Sequence, residues 1–352
     1  MQKIIIKVGT NVITKTDGSL DLPILAQIVD QISQLQKRDI QVVLVSSGAV
    51  GAARAKIQLD KNSTKITRRQ VLAAIGQIEL LKQYQTLFES HGMLCAQVLA
   101  TKDDFRDRTH YLNMKNCFNG LLQNKVVPIV NENDVVSVDE LMFTDNDELA
   151  GLISSMVNSE TLILLSNVDG VLDQSCKLVI SEVEGIGKIK QCIRPTKSKF
   201  GRGGMMTKAN MAQKLAEMGL TTFVANGKKK DIILDIMDGK KVGTKFIAQK
   251  GKASSLKRWI AHSEGHEKGT LTIDAGAEKV LKEKISSLLP IGIKQVEGEF
   301  KKGDLLRIKN EAGENIGIGL ATYGSKTAKS YVGKKGKKAL IHYDHLFLQK
   351  ET

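Results

Sequence analysis

The sequence is poor in the residues that mark several common classes of protein. Its 352 residues include four cysteines, and no two of them have CxxC spacing, so neither a zinc knuckle nor a redox motif is indicated. Cys95 and Cys117 lie within apolar stretches, which predicts thiols in the core. The chain has four prolines and no long tract of serine, glycine or proline, so extended disorder is not indicated.

Several signals for other functions are also missing. No apolar run reaches the roughly 18 residues that cross a bilayer, and the chain starts with an apolar strand rather than a segment of signal-peptide type. We therefore expect a cytoplasmic protein with no membrane partner. No histidine cluster suggests a metal site, and we interpret the spacing of His342 and His345 as incidental. The GxxxxGK[ST] motif and the HRD and DFG motifs are absent, so any ATP is held by another architecture.

Positive charge, by contrast, is abundant. The formal net charge is +14, and a basic protein attracts anions such as nucleotides, nucleic acids and acidic metabolites. Residues 1–258 carry a net charge of +10 and residues 259–352 one of +4, which is a similar density. Charge alone therefore marks neither part of the chain as a nucleic-acid-binding module.

Residues 1–250 alternate between strand-like and helix-like patterns. The predicted strands are residues 3–9, 41–47, 93–100, 126–130, 161–166 and 221–225, with a possible hairpin at 135–144. The predicted helices are residues 22–37, 69–90, 109–123, 146–157 and 205–218. Apolar strands separated by helices predict an α/β fold, in which helices cover both faces of a mainly parallel sheet as a three-layer sandwich.

The pattern changes after a polar, basic segment at residues 251–258, which we interpret as a linker between two domains. Residues 259–352 contain short strands and frequent glycines, with predicted strands at 270–273, 292–296, 305–309, 316–322 and 340–342. This pattern is typical of a small β-rich barrel.

Polar or glycine-rich loops follow the predicted strands or open the predicted helices of residues 1–250. In chain order they are 7–10 (KVGT), 46–51 (SSGAVG), 131–134 (NEND), 144–147 (TDND), 166–170 (SNVDG) and 201–208 (GRGGMMTK). Ligands of parallel sheets bind beyond the carboxyl ends of the strands. Phosphoryl transfer needs cations and a close approach of backbone N–H groups. The candidates are Lys7 and Lys208 as cations, and Gly9, Gly48, Gly203 and Gly204 in the backbone.

Each of these features also has a purely structural interpretation. Lys7 can be a solvated charge at a strand end, and the glycines of residues 48–51 can form a tight turn. Residues 131–134 can form a turn that caps a helix, and Asp145 and Asp147 can cap the next one. The prediction of a phosphate site therefore depends on the loops occurring together and in this order.

In this order the motifs resemble those of the bacterial glutamate 5-kinase family. The resemblance consists of KVGT (7–10), SSGAVGAAR (46–54), AAIGQ (73–77), NENDVV (131–136), DND (145–147) and RGGMMTK (202–208). In the second domain, KRWI (257–260), SSLLPIGI (286–293), GEF (298–300) and KGD (302–304) resemble the PUA domain of that family. The resemblance implies an amino-acid-kinase-type sandwich followed by a PUA-like barrel.

The resemblance implies a reaction and a role for many of the matching residues. The reaction is phosphorylation of the γ-carboxylate of L-glutamate by ATP, with a nucleotide-bound Mg²⁺, as the first step of proline synthesis. Lys7, Lys208 and Asp147 are the implied catalytic residues, with Asp147 orienting the two lysines. The implied glutamate-binding residues are Ser47, Gly48, Asn131, Asp134 and Asn146. The implied ATP-binding residues are Lys7, Gly9, Ser166, Asn167, Arg202, Gly203, Gly204, Met205, Met206, Thr207 and Lys208.

Three positions depart from the family pattern. Ser166 and Asn167 stand where the family often has threonine and aspartate, and Arg202 stands where it often has threonine. The changes at Asn167 and Arg202 make the region of the γ-phosphate more positive, and they leave the nucleotide contacts open at these positions. The resemblance also implies inhibition by proline and a homo-oligomer, either a dimer or a tetramer.

Two other functions remain open from the sequence. One is a different kinase of the same fold, such as an acetylglutamate, aspartate or uridylate kinase, although these usually lack a PUA domain. The other is an RNA-binding protein with a vestigial kinase domain, because residues 315–343 contain six lysines, no acidic residue and the interleaved Tyr323 and Tyr331. A solvated loop explains the same lysines.

Overall fold

The computed structural model describes residues 1–54, 56–57, 59–60, 63–137, 143, 146–173, 178–183, 205–217, 219–248, 267–284 and 286–348. The chain divides into two compact units, Met1–Lys252 and Ala253–Thr352. The predicted linker at residues 251–258 lies outside the described residues, so the linker and the domain limits at 250 and 259 stay predictions.

The first unit alternates strands and helices, as the sequence predicts. Its strands are β1 (Lys3–Val8), β2 (Gln41–Ser46), β3 (Cys95–Ala100), β4 (Val127–Glu132), β5 (Thr161–Ser166), β6 (Glu182–Val183), β7 (Thr221–Asn226) and β8 (Thr244–Phe246). Its helices are α1 (Thr10–Ile13), α2 (Leu22–Lys37), α3 (Ala49–Arg54), α4 (Lys65–Ser90), α5 (Lys102–Arg106), α6 (Arg108–Gln123), α7 (Asn146–Val157), α8 (Met205–Glu217) and α9 (Ile232–Met237). The predicted hairpin at 135–144 falls mostly outside the described residues.

The strands of the first unit form one eight-stranded sheet in the order β3-β4-β2-β1-β5-β7-β8-β6. The described pairings are parallel except for β7 with β8, which is antiparallel. Helices α2, α4 and α9 cover one face, and α6, α7 and α8 cover the other. The predicted α/β sandwich around a mainly parallel sheet is therefore confirmed.

Strand β1 lies at the centre of this sheet, paired in parallel with β2 and β5. Successive side chains of a strand point to opposite faces. Ile4 and Ile6 belong to the core cluster that includes residues of α2, α4 and α9. Lys7 therefore lies on the opposite face, where α7 packs on β1. Strands β2 to β4 lie on one side of β1, and β5 to β8 lie on the other. The strand order therefore reverses at β1, and α/β sheets bind ligands beyond the carboxyl ends of the strands at such a point.

The second unit consists of a five-stranded sheet and short helices. The strands are β9 (Gly269–Ile273), β10 (Ile293–Gly298), β11 (Leu305–Lys309), β12 (Asn315–Ala321) and β13 (Ile341–Leu348), in the order β10-β9-β11-β12-β13. The helices are α10 (Ala275–Glu283) and α11 (Ser325–Tyr331). The predicted small β-rich domain is confirmed, and the two helices are additions that the sequence pattern does not predict. No helix in the described parts of either unit is long and apolar enough to cross a membrane.

The prediction that Cys95 and Cys117 are core thiols is wrong. Cys117 is exposed on α6, because the buried stripe of that helix passes through Tyr111, Phe118 and Leu122 instead. Cys95 is only partly buried, since β3 is an edge strand of the sheet. Membership of an apolar stretch does not decide which face of an element a residue occupies.

Candidate active site

The carboxyl ends of the central strands carry most of the residues singled out in the sequence. Lys7 is on β1, Ser47 follows β2, Asn131 is on β4 and Ser166 ends β5. The first turn of α7 begins at Asn146, and that of α8 contains Lys208. Because the four strands are parallel, these ends lie at one edge of the sheet, and the hydrogen bonds described below join several of them.

Asp147 joins two lysines that are 201 positions apart in the chain. Its Oδ1 lies 2.6 Å from Lys7 Nζ, and its Oδ2 accepts a hydrogen bond from Lys208 Nζ. Asp147 is completely buried, and Lys7 is 4% exposed. The cluster carries a formal charge of +1, so it can still attract an anion after the internal pairing.

The pKa of Asp147 reflects two opposing effects. Burial raises the pKa of this carboxyl, but the ammonium groups of Lys7 and Lys208 more than offset that effect and hold the pKa below its ordinary value. Asp147 is therefore ionised at neutral pH and keeps two like charges close together.

Gly9 leaves space beside the Lys7 ammonium. Its N–H donates to Leu165 O at 3.2 Å, which ties the loop after β1 to β5. A Cβ at this position would lie 3.3 Å from Leu165 O and 3.7 Å from Lys7 Nζ. A side chain larger than a methyl group would therefore crowd the ammonium.

A network of neutral side chains adjoins this charged cluster. Asn146 Nδ2 donates to Ser47 Oγ at 2.8 Å and to Asn131 Oδ1 at 2.9 Å. Asn131 Nδ2 in turn donates to Gln77 Oε1 at 2.9 Å. Three of the predicted substrate-binding residues are thus joined by hydrogen bonds, and the network ends on helix α4.

Asp134, another predicted substrate-binding residue, is held by an arginine. Arg69 Nη2 pairs with Asp134 Oδ1 and lies 3.2 Å from Glu132 Oε2. Both carboxylates are buried, whereas the arginine side chain is 26% exposed. Glu132 Oε1 also accepts a hydrogen bond from Phe143 N at 3.0 Å.

Two glycines shape the loop that follows β2. Gly48 has φ +103°, a left-handed conformation that favours glycine, and it immediately precedes α3. Gly76, in the middle of α4, lies so close to α3 that a Cβ would be 1.7 Å from Ala49 O. Helix α4 therefore packs closely against the backbone of α3, which directly follows Ser47 and Gly48.

The nucleotide-binding prediction is only partly covered by the described residues. Ser166 is buried and Asn167 is exposed. Ser166 Oγ donates a hydrogen bond to Asn167 Oδ1 at 3.5 Å. Arg202, Gly203 and Gly204 lie outside the described residues. Helix α8 begins with Met205, Met206 and Thr207, whose side chains the structure does not describe.

A second polar group lies at the ends of β5 and β7, beyond Asn167. Asp169 accepts hydrogen bonds from Lys229 Nζ at 2.7 Å and from Asn226 Nδ2 at 2.8 Å. These bonds, that of Lys229 first, lower the pKa of the Asp169 carboxyl. The sequence motif SNVDG contains Asp169, but nothing in it indicates the partner on the later strand.

The structure adds Arg69, Gln77, Gly76 and Glu132 to the residues that the sequence singles out. Gly76 and Gln77 belong to the AAIGQ motif, which carries a resemblance but no assigned role, and Glu132 belongs to NEND. Arg69 has no signal in the sequence, because lysine and arginine are common at exposed positions of helices. Among the described residues there is no group of three or more His, Cys, Asp or Glu side chains arranged to hold a metal ion.

Comparison with known proteins gives consistent matches over both units. The model of the amino acid kinase family matches residues 2–226, and that of the PUA domain matches residues 269–343. A glutamate 5-kinase of Chlorobaculum tepidum is 52% identical over 352 residues, covering 99% of this chain and 97% of its own. A glutamate 5-kinase of Bacteroides thetaiotaomicron is 46% identical, covering 99% and 98%.

A more distant relative matches over nearly the same length. A glutamate 5-kinase of Chromohalobacter salexigens is 36% identical, covering 99% of this chain and 96% of its own. A solved structure of isopentenyl phosphate kinase aligns with 70% of this chain at a TM-score of 0.49 and 19% identity, which is too distant to bear on function. The relatives and the two family models together show that the chain belongs to the glutamate 5-kinases, members of the amino acid kinase family with a C-terminal PUA domain.

Proposed function

We propose that the protein transfers the γ-phosphoryl group of ATP to the γ-carboxylate of L-glutamate, forming γ-glutamyl phosphate and ADP, as the first step of proline biosynthesis. The observation that carries the proposal is the meeting of Lys7 and Lys208 on the buried Asp147. The similarity to glutamate 5-kinases over nearly the whole chain supports the choice of acceptor.

The chemistry asks little of the protein beyond alignment and charge. A carboxylate is ionised at pH 7 and is already a nucleophile, so no general base is needed. One of its oxygens forms a bond to the γ-phosphorus while the bond from that phosphorus to the bridging oxygen of ADP breaks. No proton moves. Negative charge spreads over the oxygens of the transferred group, and fixed cations stabilise it.

Lys7 and Lys208 are suited to supply those cations. Two ammonium groups aimed at the same phosphoryl group repel each other, and the Asp147 carboxylate between them offsets this repulsion. The same pairing holds both lysine side chains in place before the substrates bind, so less ordering is needed during the reaction.

The neutral network is suited to the acceptor. In this proposal Ser47, Asn131 and Asn146 bind glutamate, with Gly48 in the adjoining loop and Asp134 on the α-ammonium. Asn146 immediately precedes Asp147 on α7, so the acceptor site and the phosphoryl site share one rigid element. Such sharing fixes the distance between the two reactants.

Mg²⁺ enters the proposal as part of the nucleotide substrate. Because Mg²⁺ is commonly bound by phosphate oxygens and water with few protein ligands, the absence of an acidic cluster among the described residues is compatible with MgATP. We assign ATP contacts to Gly9, Ser166, Asn167 and the segment from Arg202 to Lys208.

The experiment that tests this function is an acceptor comparison. Purified protein with MgATP is incubated with L-glutamate, N-acetyl-glutamate, aspartate or UMP, in the presence of hydroxylamine to trap acyl phosphate. We expect hydroxamate with glutamate alone. Hydroxamate with another acceptor instead, or turnover of UMP, would assign the protein to a different reaction of the same fold.

Three further features belong to the same proposal. Proline shares the α-carboxylate and the ammonium of glutamate, so we propose that it inhibits by binding at the glutamate site. Saturating glutamate should then relieve the inhibition, and persistent inhibition would place proline elsewhere. We also propose a homo-oligomer, either a dimer or a tetramer, and a cytoplasmic location where ATP and glutamate are available.

RNA binding by the second unit remains a weaker candidate. Tyr323 and Tyr331 pack edge to face with ring centroids 5.7 Å apart, and Lys337 Nζ lies 5.2 Å from the centroid of Tyr331. Burial raises the pKa of Tyr323 to about 12, and its hydroxyl donates to Lys338 O at 3.0 Å. These contacts explain the aromatic residues as packing beneath a lysine-rich loop. RNA binding that weakens steeply with salt would support the alternative.

A further inference from the structure

The cluster of Arg69, Glu132 and Asp134 differs in charge from the lysine cluster. Two buried carboxylates surround one guanidinium, which gives a formal charge of −1. The cluster of Lys7, Asp147 and Lys208 has a formal charge of +1. The candidate site therefore has a positive part and a negative part, linked through the side chains of the neutral network and consecutive residues of β4 and α7.

This arrangement matches the charges of an α-amino acid that carries a second carboxylate. The reacting carboxylate and the phosphoryl group suit the positive part, and the α-ammonium suits the negative part. The α-carboxylate sits on the same carbon as the ammonium, however, and the two carboxylates of Glu132 and Asp134 would repel it. A cation next to Asp134 is needed, and Arg69 is in that position.

The geometry of Arg69 leaves donors for a ligand. Both of its ion pairs use Nη2, and a guanidinium carries five N–H donors on three nitrogens. Among the described residues, the donors on Nε and Nη1 are thus left for a further anion. Arginine binds carboxylates through two parallel hydrogen bonds more readily than lysine does.

The turn that contains Asp134 does not depend on Arg69 alone for its position. Gln70, the next residue of α4, donates from Nε2 to Val135 O at 2.8 Å. The turn is also closed by a hydrogen bond from Ser137 N to Asn133 O at 3.0 Å. A neutral contact thus also holds the loop against the helix, so the position of the loop does not depend on the charge of Arg69 alone.

We propose that Arg69 binds the α-carboxylate of the acceptor while Asp134 binds its α-ammonium, so that the pair selects α-amino acids over other carboxylic acids. This inference rests on the proposed function, because it takes glutamate as the acceptor. It assigns Arg69 as a specificity-determining residue.

The test compares three acceptors that share the reacting carboxylate. L-Glutamate has both α groups, 4-aminobutyrate lacks the α-carboxylate, and glutarate lacks the α-ammonium. ADP release is measured for each by a coupled assay. Replacing Arg69 alone would remove the cation that pairs with two buried carboxylates and could unfold the protein. The main variant is therefore R69M/E132Q, which keeps the cluster at −1 and keeps an acceptor for Phe143 N.

Loss of a hydrogen bond to a charged group predicts a fall of about 10- to 100-fold in kcat/KM for glutamate in this variant. The kcat/KM for 4-aminobutyrate should stay within about threefold of wild type, so the variant should lose most of its preference for glutamate over 4-aminobutyrate. The preference for glutamate over glutarate and the KM for ATP should be retained. The preference of R69K for glutamate over 4-aminobutyrate should lie between those of the wild type and R69M/E132Q. The matched control Q70M, which removes only the neutral contact to Val135 O, should keep all preferences.

Different failures point to different claims. Wild-type protein that releases no ADP with glutamate overturns the proposed function and this inference with it. Wild-type protein that is active on glutamate but uses 4-aminobutyrate equally well overturns the inference alone. The same holds if R69M/E132Q is folded and keeps the wild-type preference for glutamate over 4-aminobutyrate, since Arg69 is then only structural.

Discussion

Asn146 and Asp147 are consecutive residues at the start of α7, and their side chains join two different polar clusters. Asn146 donates to Ser47, on the loop after β2, whereas Asp147 pairs with Lys7 and Lys208. One turn of helix thus connects the proposed acceptor site with the proposed phosphoryl site. A displacement of α7 would affect both.

Lys208→Ala tests the phosphoryl site from the side of α8. Removing one of the two cations should lower kcat by about 100-fold or more, because its interaction is strongest with the charge that develops in the transition state. The protein should stay folded, since Lys7 still pairs with Asp147. Turnover and melting temperature are measured together. Lys240→Ala, which removes a surface ion pair with Asp235, is the matched control and should leave both unchanged. Near-normal turnover of Lys208→Ala would remove that lysine from the mechanism.

Asp147→Asn should lower both activity and stability at neutral pH. Breaking a buried ion-pair cluster costs about 3–5 kcal/mol, since the two ammonium groups are left without their carboxylate. The folded-state pKa of Asp147 lies below its ordinary value, so its contribution is complete above the unfolded pKa and disappears as the pH falls through the folded value.

The difference in unfolding free energy between wild type and Asp147→Asn should therefore shrink as the pH falls from about 5 towards about 2. Urea unfolding at a series of pH values measures it. A difference that stays constant or grows on acidification would contradict the assignment of Asp147 as an ionised partner of the lysines.

Gly76→Ala should disturb the loop after β2. The added Cβ would lie 1.7 Å from Ala49 O, so α3 or α4 must move, at a cost of about 1–3 kcal/mol. We expect a higher KM for glutamate because Ser47 and Gly48 are on the displaced loop. Gly120→Ala is the matched control: a Cβ at this helical glycine would have no described atom within 4 Å, and the change should stabilise the protein by about 0.5–1 kcal/mol. Equal effects of the two changes would argue against the close packing at Gly76.

Gln77→Ala should weaken glutamate binding through Asn131. The amide of Asn131 loses its acceptor on α4, and the loss of one neutral hydrogen bond predicts a rise of about three- to tenfold in the KM for glutamate. The KM for ATP should not change. Gln83→Ala, on the same helix, removes only a contact to Glu79 and serves as the control. A rise in the KM for ATP instead would show that the network serves the nucleotide.

Much of the fold can be predicted from the sequence, because local periodicity and the end signals of the elements agree. The limits of α2 (Leu22–Lys37) and α7 (Asn146–Val157) coincide with the predicted helices, since α2 has a continuous buried stripe and α7 is buried over almost its whole length. The helix α10 is not predicted, because it is short and buries only Leu281, so its apolar spacing between two strands resembles that of a loop.

The candidate site is predictable only where its residues follow strands or form motifs. Lys7 and Asp147 belong to such segments, but their pairing depends on how α7 crosses β1. Arg69 shows the limit more clearly. It lies 65 residues before Asp134, on a helix that meets the end of β4 only in the folded chain. No local pattern distinguishes it from the neighbouring Arg68.

The most direct measurement of the central claim follows an oxygen atom. L-Glutamate labelled with ¹⁸O in its γ-carboxylate is incubated with MgATP, hydroxylamine and the protein, and the released phosphate is analysed by mass spectrometry. Attack of the carboxylate on the γ-phosphorus places one labelled oxygen between carbon and phosphorus, and hydroxylamine then releases it with the phosphate. The account predicts one ¹⁸O in each phosphate formed with the hydroxamate. Phosphate without ¹⁸O would mean that water, not glutamate, accepts the phosphoryl group, and would contradict the account.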